Sequence, residues 1–136
     1  MNQRTKIYLV YVFLFIISLV FFWLVLSPSD AFGYSLIFMI VLNPSVIFLS
    51  NLYIGLKTKR RKLDYVIPIG YGISYMLLGY LTFSLANMLA NGKVNFPNLE
   101  LFIIGTLLSY GGLFIGTGLK KLFGNLNRFY TGAKIQ

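Results

Sequence analysis

The sequence predicts an all-α integral membrane protein, a four-helix bundle followed by a short amphipathic C-terminal helix. Three observations carry this prediction. Of the 136 residues, 57% are hydrophobic and 11% charged, whereas a soluble domain usually carries about 25% charged residues. The apolar residues fall into four runs, each long enough to cross a bilayer. The basic residues gather beside the ends of these runs.

The four spans follow from the length of an α-helix that crosses a bilayer. A helix rises ~1.5 Å per residue, so about 20 apolar residues cross ~30 Å of hydrocarbon. The first run follows the basic start MNQRTK and is too long for a signal peptide, so it is read as a retained helix. Residues 1–136 form a single membrane domain, with predicted spans at 7–26, 32–56, 65–89 and 101–119 and an interfacial tail at 120–136.

The distribution of basic residues predicts the orientation. The chain has twelve Lys and Arg residues, and of these only Lys93 lies in the first or the third connection between spans. The others lie in the N-terminus, the second connection and the tail, which four spans place on one side. The positive-inside rule therefore predicts a multi-pass protein of the plasma membrane with both termini in the cytoplasm.

The tail predicts an amphipathic helix. Its apolar residues recur at helical spacing and its basic residues occupy other faces, which is typical of a helix lying at the inner membrane interface. The apolar positions are Leu119, Leu122, Phe123, Leu126, Phe129 and Tyr130.

Small residues mark predicted packing faces on the third and fourth spans. Burying Leu against Leu gains little in lipid, so close approach of backbones through small residues matters more. The fourth span repeats small residues at steps of four, three and four, and this face serves either the internal bundle or a second protein. The residues of the predicted faces are Gly72, Gly79, Gly105, Ser109, Gly112 and Gly116.

Polar residues near the middle of the second span predict a candidate site. Pro44 cannot donate to the carbonyl of Ile40, and Asn43 offers both a donor and an acceptor in a region without water. With tyrosines of the next two spans, these groups predict either a substrate or lipid-headgroup pocket or a set of interhelical hydrogen bonds. The candidates are Asn43, Pro44, Ser50, Asn51, Tyr75 and Tyr110.

The first span offers no comparable pattern and is predicted to form an outer wall, with any activity carried by the other three spans. The second connection, KTKRRKLD, sets the topology or else binds anionic lipid headgroups or a cytoplasmic partner. Its basic residues and those of the tail are Lys57, Lys59, Arg60, Arg61, Lys62, Lys120, Lys121 and Arg128.

Composition excludes several kinds of chemistry. The chain has neither Cys nor His and only three acidic residues, none of them within an apolar run. Disulfides, thiol nucleophiles, zinc sites and imidazole acid–base catalysis are therefore excluded, and we expect no catalytic residue, no metal and no cofactor. The net charge of +9 is explained by the flanks of the spans rather than by nucleic acid.

Three stretches carry a resemblance. The segment NPSVIFLSNLYIGLK, the segment GYGISYMLLGY and the glycine-rich fourth span before LKK look like those of small four-helix membrane proteins of Gram-positive bacteria. The resemblance covers residues 43–121. It implies a bacterial plasma membrane and carries no activity with it.

Two functions follow as hypotheses. The first is a non-enzymatic accessory, immunity-type or assembly subunit that packs against another membrane protein or a second copy of itself. The alternative is a small carrier or channel for a neutral or lipid-linked substrate, using a midplane pocket on the second to fourth spans.

Overall fold

The protein folds into four long helices, each apolar enough to cross a membrane. The computed structural model describes residues 3–25, 30–57 and 61–132, with side chains described as far as Gly124. Within these ranges all regular structure is helical. The helices are α1 (Gln3–Leu24), α2 (Ala31–Lys57), α3 (Lys62–Asn91) and α4 (Leu99–Gly132).

The helix ends follow ordinary capping chemistry. Asp64 caps the first turn of α3, because its Oδ2 accepts a hydrogen bond from the backbone N–H of Arg61 at 2.7 Å. At the other end of α3, Gly92 adopts a left-handed conformation with φ of 65°, and its N–H donates to the Met88 carbonyl. The first turn of α4 is capped by Asn98, whose Oδ1 accepts from the N–H of Glu100.

Successive helices run in opposite directions, so the two ends of the bundle differ in charge. We call the end that holds Arg4, Lys57 and Lys62 the basic end, and the end that holds Asp30 and Glu100 the far end. The outer surface between them is largely apolar, and Phe13 and Ile40 are more than half exposed. This is the surface that a helical bundle presents to lipid.

Helix α4 lies at the centre of the packing and has extensive contacts with both α2 and α3. Helix α1 is peripheral and packs mainly through aromatic rings. Phe21 lies 5.2 Å from Phe38 of α2, and Phe22 lies 5.2 Å from Phe83 of α3, measured between ring centroids. The peripheral position agrees with the outer wall predicted for the first span, although the aromatic packing of α1 was not predicted.

The polar residues of α1 are the first departure from the sequence analysis. Arg4 and Ser18 are buried, and Arg4 Nη1 donates to Asp64 Oδ1. Ser18 also accepts, through its backbone carbonyl, a hydrogen bond from the Tyr34 hydroxyl at 3.1 Å. The expectation placed every acid outside the spans, and the structure buries Asp64 at the basic end of α3.

The tail is the second departure. It is not a separate interfacial helix, because α4 continues without interruption through Gly124 to Gly132. A mid-helix glycine costs only about 1 kcal/mol relative to alanine and does not by itself end a helix. Leu122 and Phe123, two of the predicted apolar positions, are about 60% exposed. Residues 133–136 and the side chains of residues 125–132 lie outside the described part.

Candidate functional site

Two segments near the far end are wound as π-helix rather than α-helix. They are Ser35–Leu42 in α2 and Tyr80–Ser84 in α3. In a π turn the backbone hydrogen bond spans five residues instead of four, and such turns are frequent at functional sites. The two segments therefore mark the half of the bundle in which to look for a site.

Side chains from neighbouring helices donate to carbonyl groups of these segments. The Tyr75 hydroxyl of α3 donates to the Met39 carbonyl in the α2 segment. Trp23 Nε1 of α1 donates to the Leu81 carbonyl in the α3 segment at 3.0 Å. Such contacts supply hydrogen-bond partners to irregular backbone, and hydrocarbon would offer none.

A cleft of about 290 Å³ opens between the two π segments and the first turn of α4. Its polar rim consists of Ser35, Ser84 and Asn98, and Tyr75 lies deeper, towards the middle of the bundle. Between rim and floor the walls are apolar, and none of the lining residues carries a charge. Such a cleft suits an uncharged molecule with one polar end.

Gly79 explains how three helices meet at this cleft. A Cβ atom at Gly79 would lie 2.5 Å from Leu101 Cδ1 of α4 and 3.3 Å from Met39 Cε of α2. An alanine at this position would require the ends of the Leu101 and Met39 side chains to move. The three helices therefore approach each other closely through Gly79. Gly79 was predicted as part of a packing face, and it lies at the cleft as well.

Asn43 is fully buried next to the first π segment, but it does not line the cleft. Its Nδ2 donates to the Phe38 carbonyl at 2.8 Å, and its backbone N–H donates to the same oxygen. The expected partner was the carbonyl of Ile40, which loses its donor at Pro44. The π turn moves the accepting carbonyl back to Phe38. Asn43 Oδ1 has no partner among the described residues.

The other predicted polar residues of α2 lie closer to the basic end. Asn51 is buried, and its Nδ2 donates to the Ile47 carbonyl of its own helix at 2.8 Å. Ser50 is half-buried beside the hydroxyl of Tyr71. Neither residue reaches the cleft.

Tyr110 is separated from the other pocket candidates. Its hydroxyl donates to the Tyr65 carbonyl at the start of α3, and the bond is exposed. Tyr65 and Tyr75 are ten residues apart, or about 15 Å along the helix. The structure therefore separates Tyr110 from Tyr75. Asn43 and Tyr75 donate to the neighbouring carbonyl groups of Phe38 and Met39, but of the six pocket candidates only Tyr75 lines the cleft.

The predicted glycine faces pack against other helices of the same chain. A Cβ atom at Gly112 or Gly116 would collide with the backbone of Phe48 or Leu52 in α2. Ser109, between these two contacts and Gly105, is fully buried.

The glycines nearer the far end pack α4 against α3 instead. A Cβ atom at Gly105 would lie 3.0 Å from the Cα of Gly72. Both ends of the small-residue stripe are therefore occupied by other helices of the same chain.

The predicted anion-binding residues line the basic end. Five of them are exposed: Lys57, Arg61, Lys62, Lys120 and Lys121. Lys59, Arg60 and the side chain of Arg128 lie outside the described residues.

Sequence reasoning missed the rim residues Ser35, Ser84 and Asn98. Serine and asparagine near a span end are common, and a π turn has no sequence signature. The signal for the buried pair of Arg4 and Asp64 was present, since Asp64 is the one acid among the basic residues that flank the second connection. Among the described residues no cluster of His, Cys, Asp or Glu could hold a metal ion.

No protein-family model, no curated protein and no solved structure matches this chain. The resemblance to small membrane proteins of Gram-positive bacteria therefore stays a prediction.

Proposed function

We propose that this protein is a small membrane carrier for a neutral or lipid-linked molecule, which it takes into the cleft between α2, α3 and α4. The single observation that carries the proposal is the cleft itself, set between two π segments. Its rim is polar, its walls are apolar and its lining is uncharged. The positive-inside rule places this far end outside the cell and both termini in the cytoplasm.

The dimensions of the cleft favour a slender molecule. The cleft measures about 290 Å³ and has apolar walls below a polar rim. A hydrocarbon chain that ends in a small polar group fits this arrangement. Ile40 lies in the cleft lining and is 61% exposed on the surface that would face lipid, so a lipid-linked molecule could enter from the side.

Reconstituted protein tests this proposal. The full chain is placed in proteoliposomes, and the movement of a fluorescent neutral glycolipid analogue between leaflets is followed by chemical quenching from outside. We expect movement faster than in protein-free liposomes and a loss of that movement in Ser84→Leu, which fills the rim. The matched control is Ala90→Leu, at an exposed position on the same helix beyond the cleft.

Equal rates in Ser84→Leu and Ala90→Leu would contradict the cleft as the site. A rate no faster than in protein-free liposomes, for probes with one and with two acyl chains, would contradict transport.

A second candidate, an accessory or assembly subunit, rests on the length of α4. Its 34 residues span about 51 Å, whereas ~30 Å suffices to cross hydrocarbon. About two fifths of the helix therefore extends beyond a bilayer and offers a partner a basic surface with Lys120 and Lys121. The glycine face of α4 does not support this candidate, because α2 and α3 occupy it.

Cross-linking from the extension separates the two candidates. A photoreactive residue at position 123 should cross-link to one defined protein in membranes if the extension docks a partner. A chain shortened after Lys121 should then lose the partner. Transport that survives the same truncation, with no defined cross-link, would exclude the accessory role.

A further inference from the structure

A second concave surface lies at the basic end, between α1 and α3. It is an apolar groove of about 250 Å³ and shares no residue with the far-end cleft. Tyr8 and Tyr11 form one wall, and Ile67 and Tyr71 form the other. Gly70 also lines the groove, and the space beside it is open, because a Cβ atom there would meet nothing within 4 Å.

Aromatic packing fixes the shape of the groove. The Tyr11 and Tyr71 rings meet edge to face, with centroids 4.6 Å apart, and Tyr8 lies 6.2 Å from Tyr71. Tyr11 and Tyr71 are buried, so the rings hold α1 and α3 at a fixed separation while Gly70 and Ser74 leave space on the outer side. The groove belongs to the folded bundle and faces the surface that would meet lipid.

The lining and position of the groove favour a lipid chain as its occupant. The lining is almost entirely apolar, and the groove faces the surface that would meet lipid. An extended hydrocarbon chain is much narrower than a helix and is stabilised by apolar contact along its length. The other possible occupant, a helix of a second copy, is an outcome of the test below.

Charge beside the groove selects the headgroup. Arg61 and Lys62 are exposed at the start of α3, and Lys62 precedes Ile67 of the groove by five residues, or about 8 Å. Asp64 lies between Lys62 and Ile67 in the sequence, but its side chain is buried and paired with Arg4. The other two acids of the chain, Asp30 and Glu100, lie at the far end. Among the described residues, no exposed carboxylate therefore opposes an anion at this position.

We infer that the groove holds one acyl chain of an anionic phospholipid from the leaflet at the basic end, with its phosphate at Arg61 and Lys62. This is a defined binding site, in contrast to the diffuse attraction between a basic loop and an anionic surface. It is independent of the proposed transport, because the cleft and the groove lie in opposite halves of the bundle.

Native mass spectrometry of the full chain in a neutral detergent tests the inference. The protein is titrated with phosphatidylglycerol and with phosphatidylcholine carrying the same acyl chains. We expect one phosphatidylglycerol to bind preferentially. Each surface cation contributes ~1 kcal/mol of attraction to anionic lipid, so Arg61→Ala with Lys62→Ala should lower the preference about 30-fold.

Two variants test the groove separately from the charge. Gly70→Leu fills it and should weaken binding of both lipids, while Gly118→Leu, at another exposed glycine with open space around it, should bind as the unmodified chain does. Ser74→Leu, at the same groove, replaces Gly70→Leu if that variant does not purify folded.

Unchanged phosphatidylglycerol binding in Gly70→Leu or Ser74→Leu would overturn the groove as the site. Equal binding of the two lipids by the unmodified chain would overturn the choice of an anionic headgroup. A dimer that Gly70→Leu dissociates would assign the surface to a second copy instead.

Discussion

Arg4 of α1 and Asp64 of α3 form an ion pair that is almost fully buried, with Nη1 and Oδ1 2.5 Å apart and only 11% and 2% of the side chains exposed. The pair joins the first turn of the peripheral helix to the capping residue of α3. Removing one partner of a buried ion pair leaves an uncompensated charge, which costs about 3–5 kcal/mol.

We therefore expect Arg4→Met and Asp64→Asn each to lower the stability of the bundle by several kcal/mol, and the double variant to lose less than the sum. Asparagine keeps an oxygen for the Arg61 N–H, so the change removes the charge and retains the cap. Unfolding in mixed detergent, followed by the emission of Trp23, measures the effect. Lys6→Met is the control, since Lys6 is exposed on the same helix, and a similar loss there would argue against the pair.

The glycines of α4 should differ sharply in tolerance to alanine. At Gly112 and Gly116 a Cβ atom meets α2 backbone, which has no alternative rotamer, so overpacking should cost about 1–3 kcal/mol. At Gly118 nothing lies within 4 Å, and alanine should stabilise the helix by up to ~1 kcal/mol. The same detergent unfolding assay compares the three variants. Equal effects would mean that α4 does not pack on α2 through these glycines.

Tyr75→Phe removes the hydrogen bond to the Met39 carbonyl and keeps the ring. We expect a loss of about 1 kcal/mol and faster amide hydrogen exchange within the α2 π segment, because one of its carbonyl groups loses a donor. The control is Tyr110→Phe, whose bond to the Tyr65 carbonyl is exposed. Exchange that accelerates equally in both variants would contradict a specific role for Tyr75.

Trp23 should report on the far-end cleft. It is the only tryptophan of the chain, and its Nε1 donates to the Leu81 carbonyl in the segment that also supplies Phe83 and Ser84 to the cleft. A neutral amphiphile that enters the cleft should therefore shift the Trp23 emission of the unmodified protein, and the shift should disappear in Ser84→Leu. A shift that persists in Ser84→Leu would mean that the amphiphile binds elsewhere.

Much of the fold could be predicted from the sequence, because span length and small-residue spacing obey simple rules. The four apolar runs gave the number of helices, and the spacing of Gly105, Ser109, Gly112 and Gly116 identified the face on which α4 meets its neighbours. The end of α4 was harder to predict. The change from apolar to amphipathic residues after Leu119 alters the environment of the helix but not its backbone, so the helix continues.

The candidate site could be predicted only in part. Tyr75 was identified because it is a polar residue near the middle of an apolar span. Its predicted partner Asn43 uses its donor on its own helix, and Tyr110 faces the basic end. The direction of the side chains in α2 and α3 depends on the π turns. A helical wheel built on 3.6 residues per turn does not predict π turns, so it misplaces these side chains. A prediction of the buried ion pair between Arg4 and Asp64 would have required the knowledge that α1 lies beside the start of α3.

The π segments also determine how these helices respond to a change in length. A π turn holds more residues than an α turn, so deleting one residue from Ser35–Leu42 would let α2 return to α-helical winding. The turn itself would then absorb the deletion, so Ala31–Tyr34 would keep its orientation towards α1 and the Tyr34 hydroxyl would still reach the Ser18 carbonyl. A deletion within the α-helical part of α2 has no such outlet, because each residue turns a helix by about 100°. The π segment is therefore the part of α2 in which the loss of one residue should disturb the packing least.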